Sequence, residues 1–222
     1  MRLLQETFEL DSSQFRTMEL DEFVVDFASC LKAADAKRPQ ASNARSKRPF
    51  LPGIGPHSEA AAVKLIAAEL QRYRAAIYER QISTGVPYPE TLRQKCDVCL
   101  GVKPSWEWAV EVKLLRFFGD NGKLNDNILM HVLSPYPQHR SALTDCVKLS
   151  TSTLGRRKAV LIYGFEHAGW PLDPAIDAFE ALARAKVHLG PRWSASFNTL
   201  VHPIHNAGRV FGWEVSSNES GV

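Results

Sequence analysis

The sequence predicts a mixed α/β fold in which helices flank a central sheet. Apolar residues recur at helical spacing in two segments before residue 81, and a period-two alternation runs through residues 96–114. A continuous apolar run at residues 158–165 is typical of a buried strand. Helical and strand patterns thus follow one another along the chain, as expected when helices cover the faces of a sheet.

The composition excludes two classes of protein. Of the 222 residues, 45% are hydrophobic and 23% are charged, which is typical of a folded globular chain and not of a disordered one. The longest apolar run, at residues 159–165, is far shorter than the roughly 18 residues that a membrane-spanning helix needs. Because the first residues also lack the apolar stretch of a secretory signal, we expect a cytoplasmic protein without membrane contacts.

Residues 1–50 predict a helix followed by a basic linker. Apolar residues at helical spacing indicate an amphipathic helix from Glu19 to about Ala34. Six cations and one acid then lie between Lys32 and Arg48, which fits either a solvated linker or an arm that grips phosphates. We expect residues 1–50 to form an N-terminal appendage and residues 51–222 to form the main domain.

A second, longer helix is expected from its N-cap Ser58 to about Arg80. Its apolar stripe comprises Val63, Ile66, Leu70, Tyr73 and Ile77. One turn earlier the stripe falls on Glu59, which places a carboxylate on the face expected to be buried. The Gly- and Pro-rich residues 84–90 then predict a loop.

Two alternating segments, residues 96–102 and 106–114, predict a β-hairpin with its turn at Pro104. With the turn centred there, Asp97 lies opposite Glu111, and Lys95 lies opposite Lys113. One face is apolar and comprises Val98, Leu100, Val102, Trp106, Trp108, Val110, Val112 and Leu114. The other face carries the two carboxylates and Lys113 beside small residues, which leaves room for an ion or ligand.

The remaining elements follow from local patterns. We expect a polar loop at residues 118–127, a short helix within 139–150, a buried strand at 158–165 and a helix from Asp173 to about His188. Residues 194–201 and 210–215 predict a second hairpin. The four cysteines are expected to be free thiols, and neither Cys96-x-x-Cys99 nor the pair His202 and His205 is a strong metal motif.

The order of these elements, with an acid and then acid-x-Lys on a hairpin, resembles the PD-(D/E)xK nuclease superfamily. The resemblance covers about Ser58 to Phe165, with Cys96 in place of the Pro before the first acid and Glu111-Val112-Lys113 as the second motif. It implies a restriction-endonuclease-like αβββαβ core with a mixed sheet. The N-terminal helix and the C-terminal β-hairpin would be additions to that core.

Phosphodiester hydrolysis needs a hydroxide, neutralised phosphate charge and a stabilised leaving oxygen, all of which Mg²⁺ can supply from a carboxylate site. The resemblance implies that the catalytic residues are Glu59, Asp97, Glu111 and Lys113. The implied ligands of Mg²⁺, for which Mn²⁺ can substitute, are Asp97, Glu111, the backbone carbonyl of Val112 and Glu59. Contacts with DNA phosphates are expected from Lys95, Arg116, Lys123, Arg140 and Arg156.

The resulting hypothesis is a type II restriction-like endonuclease that cuts double-stranded DNA as a homodimer, because one site serves one strand. A structure-specific, repair or defence-associated nuclease of the resolvase kind is an alternative. A non-catalytic nucleic-acid-binding module of the same fold is another. In the simplest alternative, Glu111 and Lys113 belong to a cross-strand salt bridge, and Glu59 complements the dipole of its helix.

Overall fold

A computed structural model describes residues 18–43, 45–78 and 81–218. The N-terminal residues on which the prediction about a secretory signal rests, and the predicted helix end near Arg80, lie outside these ranges. The described chain is mixed α/β, with a seven-stranded sheet flanked by helices, as the sequence predicts. No helix in these ranges is both long and apolar enough to cross a membrane.

Groups of helices and groups of strands follow one another along the chain. The helices are α1 (Leu20–Ala36), α2 (Glu59–Tyr73), α3 (Ala75–Tyr78), α4 (Met130–Leu133), α5 (Ala142–Thr151) and α6 (Asp173–Arg184). The strands are β1 (Ile82–Tyr88), β2 (Thr91–Val102), β3 (Ser105–Arg116), β4 (Arg157–Phe165), β5 (His188–Leu189), β6 (Trp193–Phe197) and β7 (Gly208–Ser216). A 3₁₀ turn at Pro137–His139 precedes α5.

The sheet is mixed because its central pair is parallel. The strand order is β1-β2-β3-β4-β7-β5, and β6 also pairs with β7. Strands β3 and β4 run parallel, whereas the other pairs are antiparallel. A parallel pair needs a crossover connection, and here that connection contains α4 and α5.

The prediction of a loop at residues 84–90 is wrong, because residues 84–88 belong to strand β1. This strand pairs with β2 although it contains Gly85, at a φ of +68°, and Pro87. It lies at the edge of the sheet, where a proline can face away from the ladder and needs no hydrogen-bond partner. The edge position therefore tolerates residues that would break a central strand.

The predicted hairpin register is correct next to the site and shifts near the turn. Val98 pairs with Val110 and Leu100 with Trp108, but a bulge follows Leu100. After this shift Trp106 joins the core on the opposite face, and Val102 is 57% exposed. The prediction that both residues belong to the apolar face is therefore wrong: the extra residue in β3 turns Trp106 to the other face, and Val102 is exposed at the end of β2.

Two apolar cores lie on opposite faces of the sheet. One joins α1 and α2 to β2, β3 and β4, and the other joins α5 and α6 to β3, β4 and β7. The predicted stripe of α2 is buried at Val63, Ile66 and Leu70, but Tyr73 is 58% exposed because the helix ends there. The predicted C-terminal hairpin exists, yet β7 is not an addition to the sheet because it pairs with β4 inside it.

The N-terminal helix α1 is anchored by polar contacts to distant segments. Asp35 accepts hydrogen bonds from the backbone N–H groups of Ile54, at 2.8 Å, and Val201, at 2.6 Å. Asp26 accepts one from the Tyr78 hydroxyl at 2.8 Å. All four cysteines are buried free thiols, as predicted, whereas the division of the chain at residue 50 stays a prediction.

Candidate functional site

A cavity of about 890 Å³ opens where β2 and β3 diverge from each other. The four residues predicted to be catalytic, namely Glu59, Asp97, Glu111 and Lys113, all line it. They come from the start of α2 and from the two hairpin strands. The structure therefore brings together side chains that are far apart in the sequence.

Glu59 reaches the site because Ser58 starts α2 directly beside it. The Ser58 hydroxyl accepts a hydrogen bond from the Ala61 N–H, as an N-cap does. The Glu59 carboxylate accepts the Leu114 N–H at 2.8 Å, and the Lys113 Nζ lies 3.3 Å from its other oxygen. Burial raises the pKa of Glu59, and the neighbouring Lys113 ammonium offsets part of that effect. Glu59 therefore contacts β3 as well as lying near its helix terminus.

Asp97 lies one residue beyond the last backbone pair of the hairpin formed by β2 and β3. Val98 and Val110 form that pair, so Asp97 and Glu111 lie at the next position on the diverging strands. One oxygen of Asp97 accepts the Val112 N–H at 2.9 Å. This bond orients the Asp97 carboxylate beside Glu111, which the hairpin register predicts.

Glu111 is the most buried carboxylate of the set, with a side chain only 3% exposed. Its Oε1 accepts the Tyr88 hydroxyl at 2.5 Å and lies 2.6 Å from the Lys148 Nζ. Burial raises the pKa of Glu111 well above its usual range, and the negative charges of Asp145 and Asp97 raise it further. A metal ion that contacts this carboxylate in addition to the Lys148 ammonium would thus be stabilised strongly.

Lys113 lies between two carboxylates. Its Nζ is 2.8 Å from Asp145 and 3.3 Å from Glu59, and its side chain is 10% exposed. Burial alone would lower the pKa of this ammonium, but the charges of Asp145 and Glu59 outweigh burial, so the pKa lies above its usual value. Lys113 is therefore a charged ammonium at neutral pH.

Two further residues of this cavity, Asp145 and Lys148 on α5, are not predicted by the sequence patterns. Lys148 contacts Glu111 and, at 2.7 Å, also Asp145. Asp145 follows the buried Ala142 by three residues and precedes the buried Leu149 by four, so it interrupts an apolar helical stripe. The same signal that singled out Glu59 could have found Asp145.

The cavity rim is basic, but only two of the predicted DNA-contacting residues belong to it. Lys95 and Arg140 line the cavity together with Arg93, His131, His139 and Lys186. Arg116 instead donates to the Gly55 carbonyl, Lys123 is exposed in the loop after β3, and Arg156 lies 3.5 Å from Glu107. These last three are not among the described residues that line the cavity.

The donor set suits a hard divalent cation. Asp97, Glu111 and Glu59 offer carboxylate oxygens, which Mg²⁺ prefers, and with Asp145 they place four carboxylates against the two ammonium groups of Lys113 and Lys148. Among the described residues, no three His, Cys, Asp or Glu side chains form a ready-made metal-binding group. Here ammonium groups lie between the carboxylates. The carbonyl of Val112 stays a predicted ligand.

Comparisons of the chain with family models, with curated proteins and with solved structures found no match.

Proposed function

We propose that the protein is a Mg²⁺-dependent endonuclease that hydrolyses phosphodiester bonds of double-stranded DNA. One observation carries the proposal: Glu59, Asp97, Glu111 and Lys113 converge at one cavity. A PD-(D/E)xK site requires these four side chains to lie together, whereas a coincidental acid-x-Lys pair does not. The order of the elements also supports the proposal. Helix α2, the meander β1-β2-β3, helix α5 and strand β4 follow one another as in a restriction-endonuclease-like αβββαβ core.

Asp97 and Glu111, with Glu59 at the edge of the site, would hold the metal ion. When bound, a divalent ion polarises the phosphate and lowers the pKa of a coordinated water. Burial of Glu111 favours this role. Its negative charge is shielded from water in the folded protein, and a bound cation would compensate for the lost solvation. The Tyr88 hydroxyl fixes the orientation of the same carboxylate.

Lys113 supplies a fixed positive charge beside the two strand carboxylates. Its ammonium is held by Asp145 and Glu59, so little reorganisation is needed when negative charge develops on a phosphate in the cavity. An ammonium hydrogen can also orient an attacking water. The chain therefore offers the charge stabilisation and positioning that phosphodiester hydrolysis requires.

The exposed cations Lys95 and Arg140 would contact the DNA backbone. They line the cavity together with Arg93, His131, His139 and Lys186, although the net charge of the whole chain is only +3. Such contacts set register and affinity without reading sequence, so binding should weaken steeply as salt rises. A homodimer is part of the proposal because each site serves one of the two antiparallel strands.

Cleavage assays on the wild type, Glu111→Ala and Glu107→Ala test the proposal. Glu107 lies on the same strand, and its side chain is part-exposed and contacts Arg156, so it is a matched control. Supercoiled and linear duplex DNA would be incubated with Mg²⁺ or EDTA. We expect discrete fragments from the wild type and from Glu107→Ala with Mg²⁺, and none from Glu111→Ala or in EDTA.

Other outcomes select the alternatives. Nicking, or a smear of products, contradicts site-specific cleavage and favours a structure-specific or repair nuclease. No cleavage of duplex, branched or single-stranded DNA contradicts the nuclease proposal. A binding module would instead bind DNA without metal, and more tightly after Glu111→Ala, because a carboxylate that repels phosphate is removed.

A further inference from the structure

Lys148 is a second buried cation of the site and lies outside the acid-x-Lys motif. Its Nζ is 2.6 Å from the Glu111 Oε1 and 2.7 Å from the Asp145 Oδ1, and it lies 4.9 Å from the centre of the Tyr88 ring. The side chain is 25% exposed, so it is more enclosed than an ordinary surface lysine. Three neighbouring groups thus fix the position of this ammonium.

Both oxygens of Asp145 lie within ion-pair distance of ammonium groups. Its Oδ1 contacts Lys148, and its Oδ2 contacts Lys113 at 2.8 Å. A carboxylate whose two oxygens both contact cations of the chain has the arrangement of a bridge between two metal ions. In this protein the two bridged cations are lysines.

We propose that Lys148 takes the place of a second metal ion, so that the site binds a single divalent cation. The ammonium lies between Glu111 and Asp145 and occupies the position in which a second cation would contact both carboxylates. Two divalent ions would bring four positive charges, in addition to Lys113 and Lys148, to only four carboxylates. One divalent ion with the two lysines balances the four carboxylates.

In the reaction, Lys148 would act through the two carboxylates that it contacts, a role that rests on the proposed nuclease function. The number of ions bound does not depend on cleavage and can be measured without DNA. Lys148 acts there through Glu111 and Asp145, since it holds both carboxylates away from a second ion.

Calorimetric titration with Mn²⁺ tests the proposal on the whole chain without DNA. The proteins are the wild type, Lys148→Met, Lys148→Arg and, as a control, Lys64→Met, which changes an exposed lysine of α2. We expect one Mn²⁺ per chain for the wild type, Lys148→Arg and Lys64→Met. Lys148→Met should bind two, because Glu111 and Asp145 lose their ammonium partner.

The double variant Asp145→Asn/Lys148→Met should return to one Mn²⁺, because it lacks the second bridging carboxylate. Circular dichroism checks that each variant is folded, and Lys148→Gln, which should also bind two Mn²⁺, replaces Lys148→Met if that variant does not fold. The proposal is overturned by two ions or none in the wild type, by one ion in folded Lys148→Met, or by two ions in Lys148→Arg.

Cleavage of duplex DNA with Mg²⁺, measured on the same proteins, separates this inference from the nuclease proposal. Active wild type with the wrong ion count overturns the role of Lys148 and leaves the nuclease proposal intact. The expected ion counts without any cleavage contradict the nuclease proposal, while the one-ion site stands.

Discussion

The substitution Asp145→Asn removes the charge that holds both site lysines while it keeps the size of the side chain. Asp145 is 5% exposed and pairs with Lys148 at 2.7 Å and with Lys113 at 2.8 Å. Removing one partner of a buried ion pair costs about 3–5 kcal/mol, because the remaining charge is left uncompensated. Here Lys113 keeps Glu59 and Lys148 keeps Glu111, and the repulsion between Asp145 and Glu111 is relieved. The lower end, about 3 kcal/mol, is therefore expected.

Urea unfolding, followed by circular dichroism without metal, measures this loss. With a slope of about 3 kcal/mol per molar urea for a chain of this size, the unfolding midpoint should fall by about 1 M. Asp177→Asn is the control, because Asp177 pairs with Arg192 but its side chain is 64% exposed. An exposed pair contributes less than about 1 kcal/mol, so the control midpoint should move by no more than about 0.3 M. Equal shifts for the two variants would refute the argument that the site network is a buried one.

Three further outcomes are expected. Lys113→Met should lower kcat for DNA cleavage by about 10²–10⁴-fold with little change in DNA affinity, and an equal loss in affinity would show that Lys113 only binds DNA. His205 is buried, and burial lowers its pKa to about 4, so the unfolded chain binds the extra proton between about pH 6.5 and pH 4. The contribution of His205 to stability is therefore full above pH 6.5 and is lost as pH falls; between pH 7 and pH 5, urea unfolding of the wild type should show a loss about 2 kcal/mol larger than that of His205→Gln. Gly55→Ala should cost about 1–3 kcal/mol, because a Cβ at Gly55 would clash with the His205 side chain; an unchanged thermal midpoint would contradict this.

The part of the site that lies on the hairpin could be predicted because local pattern determines it. Alternation together with a turn at Pro104 gives the register at Val98 and Val110, and that register places Asp97 beside Glu111. The contact of Glu59 with Leu114 agrees with the apolar stripe that places Glu59 on the buried face of α2.

The rest depends on tertiary context. Strand β1 could not be predicted, because Gly85 and Pro87 are tolerated only through its edge position, and strand order is not a local property. The bulge after Leu100 left no periodic signal, so Trp106 was expected on the wrong face. Lys148 resembles any surface lysine in the sequence, and its contact with Glu111 arises only when α5 packs on the sheet.

The position of β7 inside the sheet has a consequence for synthesis of the chain on the ribosome. Strand β4 is translated long before β7, yet its whole free side, from Ala159 to Phe165, pairs with β7. Until β7 emerges, the nascent chain presents an apolar strand with an open row of amide and carbonyl groups, which favours aggregation. The hydrogen bond from the Val201 N–H to Asp35 likewise forms only after Val201 has been translated. Folding of this sheet therefore completes late, and pauses in translation between β4 and β7 should lower the yield of soluble protein.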